Sequence, residues 1–334
     1  MRFLIVIIFI FTNHSYAISL DSAINYALIN NKDLKISSLD IQSSLGKVKS
    51  DSSIYDINFS ANFEYQDLNS PSTSAFANND KINETSTSYS FGFDGYLESG
   101  TKYFLTPFKL KKIESDLGTN SMSPKWESSF ELGFSQNILK DFGPSINNSF
   151  IIVSKNNSKI SKIQFEKMVS KTILNVKTSF YNALLAKKNI ELANSSLALA
   201  EDLVQKNEYQ VEAGTLPKLS LLQAKAAVAF RQVELIKAEN NYDLSLDNFK
   251  ISISMPLDEE VTLDGIIEKN SEAISELSDV SSIAFNNRPE IRQRELKIKS
   301  SQQMVEYYKN QLLPDFNLEA SLGYSGLGGS KSSN

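Results

Sequence analysis

The chain has 334 residues, with 39 acidic and 34 basic side chains for a formal net charge of −5, no cysteine and a single histidine, His14. The absence of cysteine excludes disulfides, thiolate metal sites and thiol nucleophiles, and one histidine leaves no basis for zinc, haem or triad chemistry. No cofactor and no metal site are expected, and the composition points away from an enzyme. The mildly acidic balance gives no electrostatic footprint for nucleic acid, which is excluded as an expected partner.

The first residues read as an export signal. Met1 and Arg2 precede nine apolar residues, 3–11, followed by a short polar segment with Ser15 and Ala17 at the small-residue positions. A nine-residue apolar run is less than half of the ~20 residues that cross a bilayer as a helix. The expected event is Sec-type cleavage after Ala17. Cleavage removes Arg2 and His14, leaving a mature chain without histidine.

Residues 18–55 then follow helical spacing through Ala23, Ala27, Leu28, Leu34, Leu39, Ile41, Leu45 and Val48, with Asp21 as the expected N-cap. From 56 to 143 the period drops to two. Ile57, Phe59, Ala61, Phe63 and Tyr65 alternate with polar residues, as do Tyr89, Phe91 and Phe93, and again Phe130, Leu132 and Phe134. Glu98-Ser99-Gly100 is a turn leading to Tyr103 and Leu105, and the polar stretches 67–85 and 112–125 read as surface loops. Such alternation fits outer-membrane barrel strands, apolar toward lipid, and equally one half-exposed face of a soluble antiparallel sheet. In the barrel reading Ile57, Phe59, Phe63, Tyr65, Phe130, Leu132 and Phe134 face lipid.

A strand-to-helix turn at Phe142, Gly143 and Pro144 opens a helical region, 144–255. Residues 147–212 contain neither proline nor glycine, enough for a rod of roughly 100 Å at ~1.5 Å per residue. Val169, Ile173, Val176, Phe180, Ala183, Lys187, Ile190, Ala193, Leu197, Ala200 and Val204 step by three and four, the spacing of a coiled-coil seam. The reversal 211–217 leads into a second helix to about Ser254, with Leu222, Ala226, Ala229, Val233, Ile236 and Asn240 as its expected stripe, and Pro256 ends it. Residues 256–280 are an acidic connector with a short strand at Val261-Thr-Leu263. Asp258, Glu259 and Glu260 there read as a solvated loop rather than an acid–base or calcium site.

The opening of the chain then recurs. Asn30-Asn-Lys-Asp-Leu34 aligns with Asn286-Asn-Arg-Pro-Glu-Ile291, and Leu39, Ile41, Ser43, Ser44 and Val48 align with Leu296, Ile298, Ser300, Ser301 and Val305. After a two-residue shift, Asp56 through Tyr65 aligns with Asp315 through Tyr324. A helix, 281–312, leading into a strand, 313–334, is thus expected to repeat residues 18–65 and to mark two pseudo-equivalent halves, the second only begun.

Four places together resemble the TolC-like outer-membrane efflux proteins. They are Leu20-Asp-Ser-Ala-Ile-Asn-Tyr-Ala-Leu28 with Asn30-Asn31; Gln136-Asn-Ile-Leu139 before Phe142-Gly143; Tyr209, Gly214 and Ser220-Leu-Leu-Gln-Ala224 around the reversal; and Arg288-Pro-Glu-Ile291 with Leu313-Pro-Asp315. Ser220 stands where the family usually has Asp, Asn137 where it usually has Pro, and the strands near 86–111 resemble an added hairpin. The resemblance implies a mainly α fold with a membrane β-barrel part and a long coiled-coil hairpin, in a duplicated topology whose second half is incomplete here.

As to function, the resemblance implies a homotrimeric exit duct of a tripartite efflux pump or type I secretion system, in the outer membrane of a Gram-negative bacterium and reaching into the periplasm. Its implied partners are a periplasmic adaptor protein, an inner-membrane transporter of RND or ABC type, and outer-membrane lipid. Val211, Ala213, Gly214, Thr215 and Leu216 are the expected adaptor contacts at the tip. A surface adhesin with a coiled-coil stalk is the alternative, though it needs neither the repeat nor the tip. With one complete half, this chain is expected not to close a competent trimeric duct by itself.

Overall fold

The computed structural model describes residues 16–71, 81–116, 122–267 and 277–331. Residues 1–15 of the expected signal peptide lie outside the described residues, whereas its last two, Tyr16 and Ala17, lie in a strand, so cleavage after Ala17 leaves only Ile18 of that strand. In chain order the elements are β1 (Tyr16–Ile18), α1 (Leu20–Asn30), α2 (Lys32–Ser52), β2 (Asn58–Pro71), β3 (Lys81–Tyr96), β4 (Thr101–Ser115), β5 (Met122–Asn137), α3 (Pro144–Asn147), α4 (Ser149–Glu212), α5 (Lys218–Ile253), β6 (Val261–Leu263), α6 (Leu277–Asn287), α7 (Pro289–Gln311) and β7 (Asn317–Lys331). The chain divides into two compact units, one of Met1–Ile41 with Ser161–Ile291 and one of Gln42–Ile160 with Arg292–Asn334.

The first unit holds an apolar core. Ala23 and Ala27 of α1, Val176, Phe180, Ala183 and Leu184 of α4, and Phe249 and Ile253 of α5 close around Ile18, Val261 and Leu263 of the parallel pair β1 and β6. Phe180 is 1% exposed and meets Phe249 edge-on at 5.7 Å between ring centroids. All eleven seam positions of α4 are buried or half-buried, as their spacing requires. The inward side of α5 is not the expected stripe. Leu221, Ala224, Val228, Leu235, Ala238, Tyr242, Leu246, Phe249 and Ile253 turn inward, whereas Leu222, Ala226, Ala229, Val233, Ile236 and Asn240 are exposed. The helix has two apolar stripes, and its own chain covers the one that ends in Phe249 and Ile253.

The helical part of the second unit is held by polar contacts. Ser44 donates to Ser158 at 3.3 Å, Asn156 donates to Ser300 at 3.1 Å, and Tyr55 donates to Asn148 at 2.9 Å. Gln303 donates to the Ser145 carbonyl at 2.8 Å and to the Ser149 hydroxyl at 3.1 Å. The α4 segment in this unit thus bonds α2 on one side and α7 on the other, through serines that lie near one another in the repeat alignment. On α2, Lys47 and Asp51 form an ion pair at 2.7 Å, and its hydrogen bond holds the Asp51 carboxyl below the usual carboxylate range.

The remaining strands form one antiparallel sheet in the order β2-β3-β4-β5-β7. The polar stretches expected as loops are strand at their flanks, since β2 continues to Pro71, β3 starts at Lys81, β4 continues to Ser115 and β5 starts at Met122, while 72–80 and 117–121 lie outside the described residues. Ladder pairing uses backbone groups, which Ser, Thr and Asn supply as well as apolar residues do. Asn83 closes the β3–β4 ladder by donating its backbone N–H and its side-chain amide to the Asp116 carboxylate at 2.8 and 3.0 Å. For the same reason the glycine-rich stretch after Tyr324 stays in β7 up to Lys331.

Helix ends also differ from expectation. Ser19, not Asp21, caps α1, its hydroxyl accepting from the Ser22 N–H at 3.3 Å, while Asp21 lies in the first turn and favours the positive helix end. The single helix expected to residue 55 breaks at Asn31, whose side chain accepts from the Leu34 N–H at 3.0 Å. The expected helix 281–312 breaks in the same way before Pro289, so the helix pair and following strand recur: α1, α2 and β2, then α6, α7 and β7. α5 stops at Ile253 because Ser254 turns left-handed at φ 59°, two residues before Pro256.

Phe180→Ala is expected to cost about 3–5 kcal/mol by opening a cavity under Phe249. Chemical denaturation followed by far-ultraviolet circular dichroism measures it.

Candidate functional site

Four regions carry the residues singled out by sequence: the hairpin tip, the flanks of the hairpin helices, the two faces of the sheet, and the strand-to-helix joint. At the tip, one carbonyl organises the reversal. Gln210 O accepts from the Thr215 N–H at 2.9 Å, the Leu216 N–H at 3.2 Å and the Thr215 hydroxyl at 2.9 Å. Gly214 sits at φ 73°, a left-handed conformation that side chains oppose, yet a Cβ there would project into open space. Ala213, Gly214 and Thr215 are exposed, whereas Val211 and Leu216 are half-buried against the turn. Tyr209, Leu219 and Leu222 stand exposed beside them. Leu219 carries no sequence signal of its own, and Leu222 enters the sequence reading as a member of the α5 stripe and of the motif Ser220–Ala224. Below the turn, Lys225 and Glu208 link the two helices at 2.9 Å.

Each hairpin helix carries a second apolar line that its own chain leaves uncovered. On α4 it is Leu174, Tyr181, Leu185, Leu192, Leu199 and Leu203, stepping by seven and four on the face roughly opposite the buried seam. On α5 it is Leu222, Val233, Ile236, Leu244 and Ile251. Leu199 is 70% exposed and Leu192 66%. Lines of large apolar side chains at heptad spacing are helix-packing surfaces.

The sheet separates cleanly into two faces. One row of facing residues crosses all five strands as Phe59, Phe93, Leu105, Leu132 and Leu322. The same face holds Phe63 against Tyr89, with ring centroids at 5.1 Å, and Phe91 against Phe108 at 5.4 Å. Tyr65, Phe130 and Phe134 share it through their register, and Ile57 keeps its parity just before β2. The other face carries polar rows, among them Asn62, Ser90, Lys109, Ser129 and Ser325. The adjacent lysines 111 and 112 divide between the faces. Lys112 lies over the Trp126 ring at 5.5 Å and pairs with Glu114 at 2.6 Å, while Lys111 belongs to the polar face. Within the described residues β2 and β7 are sheet edges with no strand beyond them.

The joint from β5 into α3 is a knot of polar contacts. Asp141 and Gly143 take left-handed φ values of 58° and 92°, and Pro144 begins the helical turn. The Gly143 N–H donates to Ser99 O at 3.0 Å, tying the joint to the β3–β4 turn, while Phe142 is exposed. Asn147 donates to the carbonyls of Glu98, Asp141 and Gly143 at 3.2, 3.0 and 3.0 Å. Asn310 of α7 accepts from the Asp141 N–H at 2.7 Å, and Gln311 donates to the Asp141 carboxylate. Burial, and after it the Asp141 charge, raises the pKa of the neighbouring Tyr307 phenol. Among the described residues no cluster of three or more His, Asp or Glu could hold a metal ion, and no helix is long and apolar enough to cross a membrane.

Comparison with known proteins matches residues 116–250, from the end of β4 through most of α5, to the family described as outer membrane efflux protein. This segment is similar to that family over its matched length. The fold containing it is TolC-like. It is similar to CusC at 14% identity and TM-score 0.63 over 95% of this chain and 63% of that one. It is similar to the outer membrane protein VceC from Vibrio cholerae at 15% identity and TM-score 0.60, over 92% of this chain and 62% of the other. The Campylobacter jejuni CmeC outer membrane channel matches at 16% identity and TM-score 0.61, over 94% and 61%. At these identities the likeness is one of fold, and the chain spans under two thirds of the length of each channel. No curated protein matches. The matched segment thus includes β5, the joint, α4, the tip and nearly all of α5.

Asn147→Ala removes the side-chain donor of the Glu98 and Asp141 carbonyls, while Gly143 O keeps the backbone N–H groups of Ile146 and Asn147, and is expected to lower stability by about 1–3 kcal/mol. Thermal melting of the detergent-solubilised protein, followed by circular dichroism, measures the loss.

Proposed function

We propose that the protein is a subunit of an outer-membrane exit duct, a passive homotrimeric channel serving a tripartite efflux pump or type I secretion system. The observation that carries this reading is the sheet. Five strands of 14–16 residues present an aromatic face and a polar face and, among the described residues, remain open at both edges. A strand needs roughly 9–11 residues to cross a bilayer, and in lipid every edge must be paired by closure into a barrel. The aromatic face, with Ile57, Phe59, Phe63, Tyr65, Phe130, Leu132 and Phe134, then meets outer-membrane lipid and the polar face lines the lumen.

The second apolar lines of α4 and α5 support closure by further copies, because a helix with packing surfaces on two sides is a stave between two neighbours. The number three comes from the family resemblance, as do the periplasmic adaptor and the RND or ABC transporter that supplies the free energy. The duct itself breaks no bond. At the tip, Ala213, Gly214 and Thr215 offer the adaptor an exposed corner, flanked by Tyr209, Leu219 and Leu222. Val211 and Leu216, both half-buried, border that corner.

Two measurements test the reading, each on the protein expressed from its native gene. Gly214→Asn retains the left-handed turn and adds a side chain that points into open space, so folding is expected to be unchanged. Adaptor affinity is expected to fall at least about tenfold, equivalent to ~1.4 kcal/mol, with a parallel loss of export. Native affinity in this variant sinks the contact role. Leu192→Asp combined with Leu199→Asp places charge on the uncovered α4 line. It is expected to yield helical monomers, read by light scattering with circular dichroism, and a persistent trimer removes that line from the assembly.

A further inference from the structure

On the polar face of the sheet, β4, β5 and β7 enclose a cleft of about 570 Å³ lined by Lys109, Lys111, Lys125, Glu127 and the small residues Ser129 and Ser325. Its layout follows from register. One row places Lys109 opposite Ser129, which faces Ser325, and the next places Lys111 opposite Glu127, which faces Leu327. Lys109 and Lys111 are two residues apart on one strand, so their side chains leave the same face roughly 7 Å apart. Small neighbours leave that space open.

The charges do not cancel within the cleft. Lys125 pairs with Glu127 at 2.5 Å, which neutralises one ammonium group. Lys109 and Lys111 belong to neither of the ion pairs of this sheet, Lys112 with Glu114 and Lys125 with Glu127. The nearest other carboxylates on this face by register are Glu64, two strands from Lys111 and so roughly 10 Å away, and Glu131, one position beyond Ser129 on the same side of β5. Two positive charges therefore remain over a floor of serine hydroxyls.

We infer that Lys109 and Lys111, with Lys125 beside them, form an anion-binding station on the inner wall of the duct, taking a carboxylate, phosphate or sulfate group of cargo in transit. The inference rests on the barrel reading, which turns this face to the lumen. Two ammonium groups at that spacing bridge one tetrahedral or planar anion, and the serine hydroxyls supply further donors. A low-dielectric lipid layer behind the sheet concentrates their field in the lumen, while solvent in the cleft keeps binding weak enough for release. Lys112, the next residue, is the internal contrast. It lies on the aromatic face, is neutralised by Glu114 and has no access to the cleft.

The test is current block by inorganic tripolyphosphate. The protein expressed from its native gene is inserted into planar bilayers in potassium chloride. Tripolyphosphate is expected to block the native current, and Lys109→Gln with Lys111→Gln is expected to need at least about fivefold more of it. Lys109→Arg with Lys111→Arg restores native block, and Lys112→Gln retains it. Absence of block in the native pore, equal block in the double glutamine variant, or an equal loss in Lys112→Gln overturns the station while the open pore upholds the duct. An inserted protein without conductance overturns the duct reading, and the station with it.

Discussion

The rest of the molecule depends on what a sheet does with its edges. β2 and β7 each present a full row of backbone donors and acceptors with no partner strand among the described residues, and the face between them is aromatic. In water such a sheet is a template for aggregation. In lipid, each unpaired backbone group costs several kcal/mol. In the proposed barrel both difficulties end, because edge-to-edge closure pairs the rows and hydrocarbon covers the aromatic face. The alternation read from Phe59 to Tyr65 is thus half of the specification, and the open edges are the other half.

The helices pose the same problem in a different periodicity. α4 buries the seam through Val176, Phe180 and Ala183 within its own chain, and leaves Leu192 and Leu199 on another flank. Alanines recur among the larger apolar residues where the chain packs on itself, with Ala23, Ala27, Ala183, Ala186 and Ala224 all buried. The uncovered flanks carry leucine instead. Where α2 and α7 meet α4, serine and asparagine replace both, and short directional hydrogen bonds set the alignment of the helices.

Much of this was legible in the sequence because it is periodic. The α4 seam, the alternating faces of β2 and β5, the strand Val261–Leu263, the reversal at Gly214 and the recurrence of helix then strand all follow from spacing and turn chemistry. The errors have physical causes. α5 is apolar on two sides, and pattern alone cannot say which side its own chain covers, so the stripe that spacing picks out through Leu222, Val233 and Ile236 is the uncovered one. Ser19 and Asp21 are both good caps, and the choice depends on where the backbone leaves the extended region. The polar ends of β2 to β5 pair through their backbones, to which side-chain patterning is blind. Leu219 was missed because an isolated apolar residue beside a turn has no signature of its own. The lysine cleft needed register across three strands, which no single segment encodes.

The bonding at the hairpin tip has a consequence for recognition. With three donors converging on the Gln210 carbonyl, and Pro217 opening the next helix, the turn has few backbone torsions left to fix. Ordering a residue on binding costs roughly 1–2 kcal/mol of backbone entropy, and this corner has met that cost in folding. A partner that seats on Ala213, Gly214 and Thr215 therefore meets a finished shape. What it gains from even a small contact area is retained as affinity, and the burden of adapting falls on the partner.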